Sequence, residues 1–292
     1  MATSTNTEHK YFVPEPVPWP FLVTAALLLA AVGAAIWMNG ASTIGAYISA
    51  AGTLFLFAMV FMWFRGVVNE SVAGVYSTQE DMTYRIGMMW FIFTEIMFFG
   101  AFFGALFYVR VLSIPWLSGS GNEFVTHFYL WPEFEGGWPS NGPGIVGGEF
   151  STVPPWQLPL LNTILLLTSS ITVTWAHWGL KDDNRTKLNI GLAATILLGL
   201  FFLFFQATEY IEAYKELGLT LGSGVYGSTF FMLTGFHGMH VTLGTIMLIV
   251  ILLRSLKGHF SPNDHFGFEA VSWYWHFVDV VWLCLFVFVY IL

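Results

Sequence analysis

Tyr84–Arg110 reads YRIGMMWFIFTEIMFFGAFFGALFYVR, and its reading decides the fold class. The stretch is apolar for long enough to cross a bilayer as one helix, which takes about 20 such residues. A single acid, Glu95, sits near its middle. An ionised carboxylate at that depth costs roughly 2.5–3.5 kcal/mol on insertion scales. Glu95 is therefore expected to be a buried carboxyl that is neutral, paired or functional.

The surrounding chain has the same character. Of 292 residues, 56% are hydrophobic and 10% charged, and mean hydropathy is +0.67. Soluble domains carry about 25% charged residues, so the composition points to an all-α integral membrane protein. The net charge of −8 comes with no basic cluster, which excludes nucleic acid as an expected partner. One cysteine, Cys284, lies inside the last apolar run, leaving no internal disulfide and no cysteine metal site. Met1–Pro20 is polar and proline-rich and lacks a signal-peptide pattern.

Seven apolar runs are long enough to span: Val17–Met38, Ala41–Phe64, Tyr84–Val111, Trp156–Leu180, Leu188–Ala213, Val225–Leu256 and Phe268–Leu292. Asn39-Gly40 joins the first two through a tight turn and makes them a helical hairpin. The more polar Arg65–Thr83 separates that hairpin from the rest. The expected organisation is a tail and two-helix unit over 1–66, an inner connecting loop over 67–83, and a five-helix unit over 84–292. Eight of ten basic residues (Lys10, Arg65, Arg85, Lys181, Arg185, Lys187, Arg254, Lys257) fall on the side that holds the N-terminus. By the positive-inside rule the N-terminus is inside and the C-terminus outside.

The outer loop 113–155 has Glu123, Glu133, Glu135 and Glu149, six prolines, three tryptophans and no Lys or Arg. Its length suggests a functional or docked segment. It is expected either to cover the outer surface of a neighbouring subunit or help attract a cytochrome, or to be a solvated acidic loop with its tryptophans anchored at the interface.

Within the spans, chemistry-bearing groups are few. His237 and His240 lie at i, i+3, as do His276 and Asp279. A di-iron bundle would need Glu-x-x-His pairs, which are lacking, so no metal is expected. These four residues are instead expected to make polar contacts across helices, because unpaired polar groups are costly in lipid. Glu95, Glu209 and Asp279 would suit a proton path in a transporter. Against that, the five later spans have no interior proline and no visible repeat. Gly100, Gly104, Gly191, Gly199, Gly235, Gly238 and Gly244 are read as sites of close helix packing. At the inner rim, Trp63, Arg65 and Glu70 close the second span, and Arg254, Lys257 and His259 the sixth. Ordinary snorkelling at helix ends would place these basic groups there; beside aromatic walls they also suit a phospholipid headgroup and its chains.

Several long motifs then carry a resemblance. They are Leu161-Asn-Thr with Thr174-Trp-Ala-His, Gln206-Ala-Thr-Glu-Tyr, Val225-Tyr-Gly-Ser-Thr-Phe-Phe, Gly235-Phe-His-Gly-Met-His and Phe266-Gly-Phe-Glu-Ala-Val-Ser-Trp-Tyr-Trp-His-Phe-Val-Asp. Together with Thr94-Glu95 and Trp63-Phe-Arg, they resemble subunit III of cytochrome c oxidase over nearly the whole chain. The resemblance implies seven transmembrane helices in a two-helix plus five-helix arrangement with a lipid-filled V-shaped cleft. It implies a non-catalytic core subunit of a proton-pumping oxidase, with haem and copper in partner subunits I and II and no redox centre or catalytic residue here. Bound phospholipids are implied at Trp63, Glu70, Phe91, Arg254 and His259. A family histidine near the second-span exit is replaced by Tyr76. Rim acids such as Glu80 and Asp81 are expected to help collect protons. The host is read as a bacterial cytoplasmic membrane ahead of a mitochondrial inner membrane. The alternatives are a quinol-oxidase subunit III, which typically lacks the first two spans, and an independent transporter.

Overall fold

The computed structural model describes residues 16–40, 42–120 and 124–292. Lys10, Glu123 and most of the N-terminal tail lie outside them. The regular structure among the described residues is all helix, with no strand. Their order is α1 (Trp19–Met38), α2 (Ile44–Val72), α3 (Thr78–Phe107), α4 (Ile114–Leu117), α5 (Phe124–Leu130), α6 (Leu158–Lys181), α7 (Arg185–Lys215), α8 (Gly224–Leu256) and α9 (Phe266–Leu285). Among the described residues, seven spans are long and apolar enough to cross a membrane, the third continuing from α3 to Leu117. A π-helical segment, Tyr108–Ser113, joins α3 to α4, just before Pro115. That proline has no N–H to give, and its ring crowds the carbonyl four residues back; the wider turn accommodates it.

The chain divides after Tyr84 into two compact units. In the first, α1 ends where Gly40 takes φ +68° and Asn39 Nδ2 donates to Ala35 O at 2.8 Å. The antiparallel α1–α2 contact is backbone on backbone. A Cβ on Gly52 would lie 2.4 Å from Ala30 N, and one on Gly33 would lie 2.3 Å from Ser49 N.

The expected connecting loop over 67–83 is mostly helix. α2 runs on to Val72 and α3 starts at Thr78, leaving only 73–77 between them. The local chemistry explains the start of α3. Ser77 N–H donates to Glu80 Oε2 at 2.8 Å, and Gln79 N–H donates to Ser77 Oγ at 3.3 Å. This is a Ser-x-x-Glu capping pair, which hydropathy cannot register. It also gives Glu80 a structural task at the start of α3.

In the second unit α6, α7, α8 and α9 pack around one another, and α3 lies against them through rings. Phe98 meets Phe236 edge-on at 5.0 Å, and Phe91 stacks on Tyr274 at 6.2 Å. α9 is the enclosed element, 61% of its apolar window being buried against 11% for each of the first three spans. Trp275 and Trp282 on α9 are fully buried. Of the glycines expected at close contacts, Gly191, Gly199 and Gly244 are there, facing Ala176 and Trp275. Gly100, Gly104 and Gly238 would meet nothing of this chain within 4 Å. Counting small residues does not show which face they occupy.

The outer loop, expected to cover a neighbouring subunit or help attract a cytochrome, is seated on its own chain. Ser151 N–H donates to Leu217 O at 2.9 Å, and Tyr226 N–H donates to Ser140 O at 3.1 Å. Phe150 stacks on Tyr226 with ring centres 5.3 Å apart. The aromatic and small residues of this loop seat it on the start of α8, while Glu133, Glu135 and Glu149 stay exposed.

Candidate functional site

The acid of the third span has a partner. Glu95 Oε2 lies 3.0 Å from His240 Nε2 on α8. The other ring nitrogen, Nδ1, is 2.6 Å from Phe236 O. A carbonyl only accepts, so Nδ1 carries the hydrogen and Nε2 faces the carboxyl. One proton shared between Nε2 and Glu95 leaves the pair without net charge on whichever side the proton sits, which is how lipid tolerates it. Phe99 packs edge-on to the His240 ring at 5.1 Å. The Glu95 side chain, expected as a buried carboxyl, is 21% exposed in the isolated chain, against 7% for His240. Glu95 stands at the edge of an α3 face whose neighbours, Phe91, Phe93, Ile96 and Met97, are open.

This geometry separates two substitutions. Glu95→Gln keeps a donor for His240 and is expected to leave the thermal stability of the chain unchanged. Glu95→Leu strands Nε2 and is expected to cost about 1–3 kcal/mol, read as earlier thermal loss of the chain. Equal behaviour of the two variants would contradict the pairing.

The other expected polar contacts divide. His276 bridges to α6, with Nδ1 2.6 Å from Ser170 Oγ and Nε2 3.3 Å from Thr174 Oγ1. Asp279 has Ser170 and His276 as polar neighbours and keeps Oδ1 unpaired. His237 makes no hydrogen bond through either nitrogen. Its ring packs against Phe202 and Trp282, with centres 5.7 and 5.2 Å away, so aromatic packing takes the place of the expected contact.

Two groupings escaped the sequence reading. Tyr290 donates to Glu209 Oε1 at 2.6 Å, and Gln206 Nε2 lies 3.4 Å from the same oxygen. This buries an acid between α7 and the end of the last span. Gln206 and Glu209 at i, i+3 were the available signal. The second grouping is Arg85, His177, His265 and Glu269, where three separate segments meet.

The rim positions are distributed over both units. In the first, Trp63 is exposed, and Tyr76 donates its hydroxyl to Glu70. Burial, and then that bond to Glu70, keeps the Tyr76 phenol protonated well above its usual range. In the second, Phe91 is open on α3. The Arg254 guanidinium lies 4.6 Å over the Phe260 ring, its Nε buried without a partner in this chain. Desolvation, followed by the Arg254 and Lys257 charges, holds His259 below the usual histidine range. The fixed positive charges here are therefore those of Arg254 and Lys257.

A family model described as cytochrome c oxidase subunit III matches residues 9–120 and 124–292. The chain belongs to the cytochrome c oxidase subunit III family. It is 42% identical over 286 residues to cytochrome c oxidase subunit 3 of Prototheca wickerhamii, covering 97% of each chain. It is 39% identical to that of Gadus morhua and 40% identical to that of Equus caballus, over 287 residues and 98% of each chain in both cases. This subunit III is thus a multi-pass membrane component of the oxidase complex, working alongside other oxidase subunits. The family is generally without redox centres of its own. Neither a quinol-oxidase subunit nor a free-standing transporter is favoured against full-length matches of this kind.

Proposed function

We propose that this chain supports the oxidase without handling electrons. It braces the catalytic subunit, holds phospholipid against it, and helps maintain proton uptake at the basic end of the helices. Haem and copper belong, in this reading, to subunits I and II. The distribution of lysine and arginine supports an inside location for that end.

The observation that carries the lipid role is Arg254. Its guanidinium is braced by Phe260, its Nε is buried without a partner in the chain, and with Lys257 it keeps the rim beside His259 positive. A phosphate ester supplies the missing acceptor, and arginine meets phosphate with paired donors. On the same unit Met89, Ile92, Phe93 and Ile96 of α3, with Trp273 of α9, line an apolar furrow suited to acyl chains. On the first unit, Trp63 and the Glu70–Tyr76 pair offer an exposed ring and polar groups of the kind that border a headgroup.

A charge-assisted hydrogen bond is worth about 1.5–3 kcal/mol, or roughly ten- to a hundredfold in affinity. Arg254→Ala is therefore expected to lower retention of tightly held anionic phospholipid in the detergent-purified complex by that factor, with initial oxygen turnover preserved. Mass spectrometry of co-purified lipid is the measurement. An unchanged lipid count would refute the headgroup role.

A further inference from the structure

The grouping of His177, His265 and Glu269 is built differently from an ordinary ion-pair cluster. His177 lies near the end of α6, His265 caps the start of α9, and Glu269 sits in the first turn of α9. One nitrogen of each histidine and one carboxylate oxygen all lie within 4.8 Å of one another. Glu269 Oε1 is 3.4 Å from His265 Nε2 and 3.6 Å from His177 Nε2. Neither Nε2 has a hydrogen-bond partner.

The tautomer of His265 is set by its surroundings. Its Nδ1 is 3.0 Å from Ser261 O, and since a carbonyl only accepts, Nδ1 holds the hydrogen. In the neutral ring Nε2 then presents a lone pair. His265 is only 7% exposed, and that lone pair faces a carboxylate oxygen that also offers only lone pairs. Two acceptors so placed repel unless a cation lies between them. The separations discriminate between candidate cations. They exceed the 2.7–3.2 Å of an N–H···O bond, but are close to the edge of a tetrahedron with metal–ligand bonds of about 2.0–2.1 Å, which is about 3.3 Å.

The outer contacts have the form such a site takes. The Nδ1–H···O=C bond orients the ligating ring, as second contacts of metal-bound histidines do. Arg85 Nη1 occupies the other carboxylate oxygen, Oε2, and its guanidinium lies 5.2 Å over the Phe266 ring. That holds the carboxylate plane and leaves Oε1 turned toward the two imidazoles. His177 and Glu269 keep side-chain exposures of 18% and 13%, enough for entry and for a water as fourth ligand.

We propose that His177, His265 and Glu269 form a site for a divalent transition metal, with Zn2+ the ion that best suits two imidazoles and one carboxylate. The site would tie the end of α6 to the start of α9, and through Arg85 to α3. It would carry no electrons, since Zn2+ has no redox chemistry at this ligand set.

The test uses the whole purified oxidase. Chelator-treated complex is reloaded with Zn2+ and desalted, and zinc is counted per complex for wild type and for His177→Asn. The wild type is expected to hold one more zinc than the variant. Crystals of the wild-type complex soaked in Zn2+ are expected to show anomalous density between the three side chains, a readout that holds even if the variant fails to assemble. Equal zinc in both proteins, or density only elsewhere, would overturn the site. Absence of zinc from the site would mean that a proton is the cation between these groups.

Discussion

Gly52→Ala is expected to open the α1–α2 hairpin, although it adds one methyl group. That methyl would lie 2.4 Å from Ala30 N and 2.8 Å from Ala30 Cα. Both are backbone atoms, so no side chain can turn away and the helices must separate. In lipid this is more serious than in water. No hydrophobic force presses the helices together there, and their association rests on close van der Waals packing and polar contacts. The hairpin has little else to hold it, since α1 and α2 otherwise expose large side chains such as Leu28, Leu54 and Phe57. The control is Gly100→Ala on α3, where a Cβ meets nothing within 4 Å; there alanine gains about 1 kcal/mol of helix propensity. Hydrogen exchange over 19–72 in the purified complex is the measurement. Strongly raised exchange in Gly52→Ala and none in Gly100→Ala is expected. Equal protection in the two would show that the contact does not hold the hairpin.

Trp275→Ala is expected to be the most damaging single change in the five-helix unit. Trp275 is fully buried on α9 and touches three other helices. Its ring edge fills the notch that Gly199 of α7 and Gly244 of α8 leave open, and its Nε1–H donates to Ser169 Oγ of α6 at 2.9 Å. Truncating a buried Trp in a water-soluble core costs about 3–5 kcal/mol. In a bilayer the transfer part of that shrinks, and the packing part remains. Trp275→Phe keeps most of the ring contact and forfeits one hydrogen bond, about 1 kcal/mol. The expected order of thermal loss of the chain from the complex is alanine first, then phenylalanine, then wild type. A Trp275→Ala complex that keeps the chain to the wild-type temperature would refute this reading.

The two cases show what the sequence could and could not disclose. The seven spans were legible because hydropathy over about 20 residues is a property of the chain alone. So was the Asn39-Gly40 turn, whose glycine needs a positive φ. The helix ends were less legible. α2 and α3 run past their apolar stretches on hydrogen bonds such as the Ser77–Glu80 cap, and hydropathy does not see those. Facing relationships were legible only in part. Glu95 announced itself by its cost in lipid, yet its choice of His240 over His276 depends on which helix lies beside α3. Gly33 and Gly52 looked no different from Gly100 and Gly104. The metal grouping was hidden because its histidines lie 88 positions apart, one on α6 and one before α9. His265 and Glu269 stand at i, i+4, but the third group, His177, comes from another helix and no local spacing points to it.

The enclosure of α9 sets a schedule for biosynthesis. α9 follows α6, α7 and α8 on the ribosome, yet it fills the space that those three leave, with Trp275 and Trp282 both fully buried. Until it enters the membrane, the notch at Gly199 and Gly244 and the hydroxyls of Ser169 and Thr163, which later accept from the two tryptophans, must face lipid or another protein. The nascent five-helix unit thus passes through a stage with polar hydroxyls and an open groove exposed inside the bilayer. That stage is the one at which an insertion factor or a quality-control protease would find something to recognise, and the arrival of the last helix would end it.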